Sequence, residues 1–258
     1  MWTSERIAIA YFAYLAIVCW LRPVRIGRRV ALAAIASFEI AAILWIAGRD
    51  IGFLRQWAPL PTILIGYYAS GLLFVAPSPA IEAWLMAWDR RLLGDPTRRF
   101  ARWPRPVLAA LEIAYMGCFV LIGGGLLILL LNGHAAVADR YWTLVVGAEF
   151  GSFAPLAFIQ TRPPWALERK PELADPAIHR LALQMVQHLT IRVNTFPSGH
   201  AAGSLAVALA VIGAMPGPGV LLLVLAAAIC VACVVGRYHY IVDIVAGAAV
   251  AAALWLAN

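Results

Sequence analysis

The sequence predicts an all-α integral membrane protein with about eight transmembrane helices, and three observations carry that expectation. Of 258 residues, 63% are hydrophobic and only 13% charged, with a mean hydropathy of +0.83, a balance far from that of a soluble globular domain. Eight apolar runs, roughly 5–21, 30–47, 58–75, 107–131, 139–159, 198–214, 219–235 and 240–257, match the ~17–25 residues a helix needs to cross a bilayer. None alternates with the period of two expected of a transmembrane strand, which excludes a β-barrel.

Taken in order, the first run lacks a small-residue cleavage site and is followed by Arg22, Arg25, Arg28 and Arg29, so it reads as a retained anchor. With the second run it makes an N-terminal hairpin, residues 1–50, in which Glu39 is a lone intramembrane carboxylate, either functional or else protonated or paired between helices. The remainder, 51–258, forms the core. The third run ends at Ala76-Pro77-Ser78-Pro79, where proline stops the helix. Residues 80–93 place Ile81, Trp84, Leu85, Trp88 and Leu92 at helical spacing, with Glu82, Asp89, Arg90 and Arg91 elsewhere. That pattern is an amphipathic helix lying in the interface. Arg98, Arg99, Arg102 and Arg105, interleaved with Phe100 and Trp103, continue it as a basic membrane-surface segment.

The fourth and fifth runs carry glycines suited to close helix packing: Gly123-Gly124-Gly125, then Gly147 and Gly151, with Glu149 between the latter two. The fifth ends at Gln160-Thr161-Arg162-Pro163-Pro164, and a polar stretch with a short helix near 177–192 follows. His179 and His188 in that stretch have no partner at metal-ligand spacing and read as surface residues. Cys19, Cys118, Cys230 and Cys233 all lie in apolar runs and read as small hydrophobes. No carboxylate cluster suggests a metal, and no cofactor is expected. The net charge of +7, from nineteen Arg and one Lys, points to anionic lipid headgroups as a partner rather than to nucleic acid.

Two stretches carry chemistry. Pro197-Ser198-Gly199-His200 opens the sixth run as a helix start, where free backbone N–H groups and the positive end of the helix dipole favour an anion. Between the seventh and eighth runs, Gly236-Arg237-Tyr238-His239 leads to Asp243. His239 and Asp243 are four apart and share one helix face, so the carboxylate can accept from one imidazole nitrogen while the other faces outward. By crossing count, the end of run five, the start of run six, the end of run seven and the start of run eight share one side of the membrane. Arg162, Ser198, Gly199, His200, Arg237, His239 and Asp243 can therefore meet, as a set of guanidiniums, amides and imidazoles suited to a phosphoryl group.

In order, Arg162-Pro163, Pro197-Ser198-Gly199-His200, and Arg237 with His239 and Asp243 resemble the three motifs of the type 2 phosphatidic acid phosphatase superfamily. The likeness covers roughly 58–258 and implies a six-helix phosphatase-like core. It further implies that His239 attacks phosphorus, Asp243 orients it, and His200 protonates the leaving alcohol. Arg162, Arg237 and the amides around Ser198 and Gly199 would bind phosphate. Two positions depart from the family pattern: Pro155 stands where a lysine is usual, and Cys233 where an arginine is usual. Arg192 and Lys170 are the candidates to replace the lysine. In motif style the chain looks closest to the inositol phosphorylceramide synthase-like branch. The expected function is a lipid phosphate or diphosphate phosphatase working through phosphohistidine, with a lipid phosphate as its substrate partner. Its rivals are a lipid head-group phosphotransferase and a small-molecule transporter.

Sixteen Lys and Arg residues fall on the motif side and four, Arg6, Arg49, Arg55 and Arg140, on the other. That bias predicts an active site on the cytoplasmic side, in a bacterial inner membrane.

Overall fold

A computed structural model describes residues 1–49, 51–168 and 176–258, without the side chains of residues 176, 177, 179, 180 and 183. Among the described residues the regular structure is helical: α1 (Thr3–Leu21), α2 (Ile26–Arg49), α3 (Gly52–Trp57), α4 (Pro59–Gly71), α5 (Pro79–Leu93), α6 (Pro96–Phe100), α7 (Arg105–Leu131), α8 (Ala138–Phe153), α9 (Pro176–Leu189), α10 (Gly199–Ala214), α11 (Pro216–Val235) and α12 (Ile241–Ala257). Four of these, α1, α2, α7 and α11, are long and apolar enough to cross a membrane, and α10 and α12 are shorter apolar helices. The predicted third run, 58–75, is helical as α4 only to Gly71, and the short α3 precedes it. The predicted fifth run is also shorter than expected. Pro155 has no N–H to continue the ladder, and α8 passes into a single 3-10 turn at Ala154–Ala157.

At the centre lies α10, packed on α7, α8, α11 and α12. Its buried face is built from Ala201, Ala202, Gly203, Ala206, Val207 and Ala208, small side chains that let neighbouring backbones approach closely. One close approach is at Gly247 of α12, where an added Cβ would lie 2.6 Å from the Ser198 carbonyl oxygen. This closeness lets the Ser198 N–H donate to the Asp243 carbonyl at 3.0 Å, locking the starts of α10 and α12 together.

The N-terminal hairpin packs along α4 and α8. Tyr11 stacks on Phe150 at 4.0 Å between centroids and donates its hydroxyl proton to the Gly66 carbonyl. Arg55 holds Glu5 with two hydrogen bonds of 2.6 and 2.9 Å. Glu39 accepts from the Thr62 hydroxyl at 3.1 Å, an interhelical contact to α4. Cys19 and Cys233 are buried, Cys118 and Cys230 partly so, and all four are free thiols.

Candidate active site

The chain builds the site where α8, α10, α11 and α12 have their neighbouring ends. Ser198 is the N-cap of α10, its hydroxyl accepting from the Ala201 N–H at 3.4 Å. Pro197 therefore precedes the helix instead of lying in its first turn. At the other helix pair, α11 stops at Val235 and the chain turns through Arg237, whose φ is +58°. That turn delivers His239 just before α12, and the Tyr240 N–H donates to Asp243 Oδ2 at 3.0 Å.

Three of the expected residues come together. His239 Nδ1 lies 3.2 Å from Asp243 Oδ2, and His239 Nε2 lies 3.3 Å from His200 Nδ1. If Asp243 accepts the Nδ1 proton, Nε2 carries the lone pair and His200 is the donor facing it. His239 is 5% exposed, and burial pushes its pKa down to about 3, so its imidazole is neutral at neutral pH. The ring of Tyr115 stacks on His200 (5.3 Å) and on Tyr238 (3.9 Å), so an aromatic slab supports the relay from behind.

The two motif arginines are engaged elsewhere. Arg162 grips Glu82 of α5 with Nε and Nη2 at 3.0 and 2.8 Å, and its own N–H donates to the same carboxylate at 2.8 Å. This grip lowers the Glu82 pKa below the usual carboxylate range, by hydrogen bonding first. Arg237 is fully buried. It donates to Asp89 of α5 at 2.7 Å and to Glu168 at 2.9 Å, while its Nη2 has no hydrogen-bond partner among the described residues. Asp89 also accepts the Ile241 N–H at 2.9 Å; its pKa is raised, because desolvation outweighs the nearby guanidinium. The predicted interfacial helix thus turns Glu82, Leu85 and Asp89 inward and leaves Trp84 and Leu92 exposed.

Of the amides expected to face phosphate, that of Ser198 is donated to Asp243, and that of Gly199 reaches the Thr195 hydroxyl at 3.4 Å. Sequence reasoning had no signal for the pairing of Arg162 and Arg237 with carboxylates, nor for the aromatic slab. Of the cations named as substitutes for the lysine, Arg192 lies in the cavity wall. Arg192 has a φ of +57°, hydrogen-bonds the Gln187 carbonyl, and lines a cavity shared with His200 and His239. Lys170 and the side chain of His179 lie outside the described residues, and His188 is exposed.

That cavity measures about 350 Å³ and runs between α4, α7, α8, α9 and α10. Its wall is mostly apolar, with Leu60, Leu64, Phe119, Ile122, Phe153 and Leu189 among its residues. Such a lining suits an alkyl chain, and the imidazole pair forms part of the same wall. Among the described residues, no group of three or more His, Cys, Asp or Glu side chains is placed to hold a metal ion.

Comparison with curated proteins and with solved structures finds no match for the chain. A family model described as the PAP2 superfamily matches residues 83–257, a span that begins in α5, takes in both motif arginines and ends with α12. With two thirds of its residues in that match, including the imidazole pair and Asp243, the chain belongs to the PAP2 superfamily.

Proposed function

We propose that the protein is a lipid-phosphate phosphatase that works through a phosphohistidine intermediate. The observation that carries this reading is the Asp243–His239–His200 relay opening onto an apolar cavity of lipid-chain character. A phosphate ester enters with its chain in the cavity and its phosphorus at His239 Nε2. The Nε2 lone pair forms the N–P bond as the ester P–O bond breaks, and His200 gives its proton to the departing alkoxide oxygen. Asp243 holds the Nδ1–H of His239 and balances the positive charge that develops on the ring. In the second step His200 takes a proton from water, the water oxygen bonds phosphorus, and the N–P bond breaks to release phosphate.

Arg192 stands in this reading for the missing family lysine, as the cation that lines the cavity. Arg162, with a side chain 46% exposed, contributes to phosphate binding by exchanging Glu82 for the substrate. Arg237, buried and held by two carboxylates, positions the His239 turn. Ser198 and Gly199 contribute the positive end of α10. Transfer to a lipid acceptor, as the likeness to inositol phosphorylceramide synthases suggests, would differ only in which hydroxyl attacks in the second step.

The test is release of inorganic phosphate from phosphatidate, lysophosphatidate, sphingoid phosphates and polyprenyl phosphates by purified protein in detergent. His239→Ala is expected to be folded and inactive, and Arg192→Ala to lose activity chiefly through a raised KM. Undiminished turnover by His239→Ala would end the phosphohistidine reading.

A further inference from the structure

One acidic side chain in the cavity has no part in the mechanism above. Glu149 of α8 is 7% exposed and lines the cavity, and it has no hydrogen bond or ion pair among the described residues. Its carboxyl lies in a notch that two glycines of α10 leave open. A Cβ on Gly203 would sit 1.8 Å from Oε1, and one on Gly199 would sit 3.1 Å from Oε2. Neither glycine needs an unusual backbone conformation, since both lie within α10. Their lack of a side chain makes room for the carboxyl. A buried carboxyl without a partner is costly, and the cavity is the open space beside it from which a partner can come.

We propose that Glu149 and the Gly199/Gly203 notch form a hydroxyl-binding subsite for the substrate, placed about one helical turn from the phosphate position. This rests on the lipid-phosphate reading and refines its substrate class. Gly199 adjoins His200, and Gly203 lies one turn further, about 5.4 Å along the axis. A hydroxyl reaching the carboxyl while phosphorus sits at His239 is therefore carried on the second or third carbon from the ester oxygen. It donates its proton to a Glu149 oxygen, and Ser204, which lines the same wall, adds polarity there. An acceptor alcohol bound for the second step offers the same chemistry, so the hydroxyl can come from the phosphate ester itself or from an acceptor lipid.

The experiment uses the full-length protein in detergent and a chain-matched pair, lysophosphatidate and its 2-deoxy analogue, with their non-hydrolysable phosphonates as binding probes. Binding is followed by tryptophan fluorescence, since Trp165 lines the cavity. A third arm adds an isotopically labelled monoacylglycerol as acceptor and measures label incorporated into lysophosphatidate, the phosphomonoester that transfer from phosphohistidine would form. The expected result is a roughly three- to ten-fold preference of wild type for the hydroxylated phosphonate. That preference should fall in Glu149→Gln and vanish in Glu149→Leu and in Gly203→Ala, whose methyl group displaces the carboxyl. Label transfer to lysophosphatidate that depends on Glu149, without discrimination between the phosphonates, would assign the hydroxyl to the acceptor and sustain the subsite. Equal binding of the two phosphonates with no Glu149-dependent transfer would overturn it, as would a preference that survives Glu149→Leu. If the phosphonates are discriminated but no ester is turned over, the phosphatase reading fails and the subsite stands.

Discussion

Replacing Asp243 by Asn isolates what its charge does for His239. Asp243 Oδ2 accepts from the Tyr240 N–H at 3.0 Å and lies 3.2 Å from His239 Nδ1. In the variant, the amide oxygen has to occupy that Oδ2 position, because the amide nitrogen there would face the Tyr240 N–H donor to donor. The amide oxygen then still accepts from Nδ1–H, and Nε2 keeps its lone pair. Only the negative charge is lost. A unit charge about 4 Å from the imidazole contributes at most about 4 kcal/mol at an effective dielectric near 20, and the amide dipole recovers part of it. Asp243→Asn should therefore lower kcat by about 10²–10³-fold. An Asp→Asn change in a Ser-His-Asp triad costs about 10⁴, where the imidazole takes the wrong tautomer. Asp243→Ala, which loses orientation and charge together, should fall below Asp243→Asn by a further factor of about ten or more. The assay is single-turnover phosphate release from a wild-type substrate, with circular dichroism and melting to confirm folding. Equal loss in the two variants would refute the pinning by Tyr240, and near-wild-type rates in both would remove Asp243 from the mechanism.

Three further outcomes are expected. Asp89→Ala should destabilise by about 3 kcal/mol, the low end for breaking a buried ion pair, since Arg237 retains Glu168; chemical denaturation in detergent measures it, and a loss under about 1 kcal/mol would contradict the pairing. Glu82 has a lowered folded pKa, so its contribution to stability is complete above the unfolded value of about 4.5 and is lost as pH falls through the folded pKa; melting from pH 7 to 3 should show Glu82→Gln with less acid-induced loss than wild type, and identical profiles would refute it. In a cysteine-free background, cysteines introduced into the 22–29 loop should resist an impermeant thiol reagent from the periplasm while those at 132–138 react, and the reverse pattern would move the site to the periplasmic side.

The parts legible in the sequence were those fixed by local periodicity or short spacing. Apolar runs mark the helices wherever proline does not intervene; the His239–Asp243 interval of four encodes a shared helix face, and Ser198 encodes a cap. The helical period of 80–93 was also readable, but not which side of it faces the protein. Trp84 and Leu92 marked a helix lying in the interface, but nothing in the pattern showed that Glu82 and Asp89 face inward, where Arg162 and Arg237 await them. Such pairing joins residues far apart in the chain, and no local pattern records it. For the same reason Arg192 could be named but not placed, since the turn at φ +57° that brings it to the cavity depends on the packing of α9.

The ties from α5 also bear on when the site comes into being during synthesis. Glu82 bonds a residue 80 positions later, and Asp89 bonds residues 148 and 152 positions later. Loops of that length close only after the intervening segments have left the ribosome and found their places. Until Ile241 emerges, Asp89 lacks one of its two partners, and the His239 turn lacks the support that α5 gives it. The nascent chain therefore inserts α1 to α9 before either imidazole of the relay is made, and carries the His200 helix start without an assembled relay while α11 inserts. The relay forms only when α12, the final helix, docks on α10.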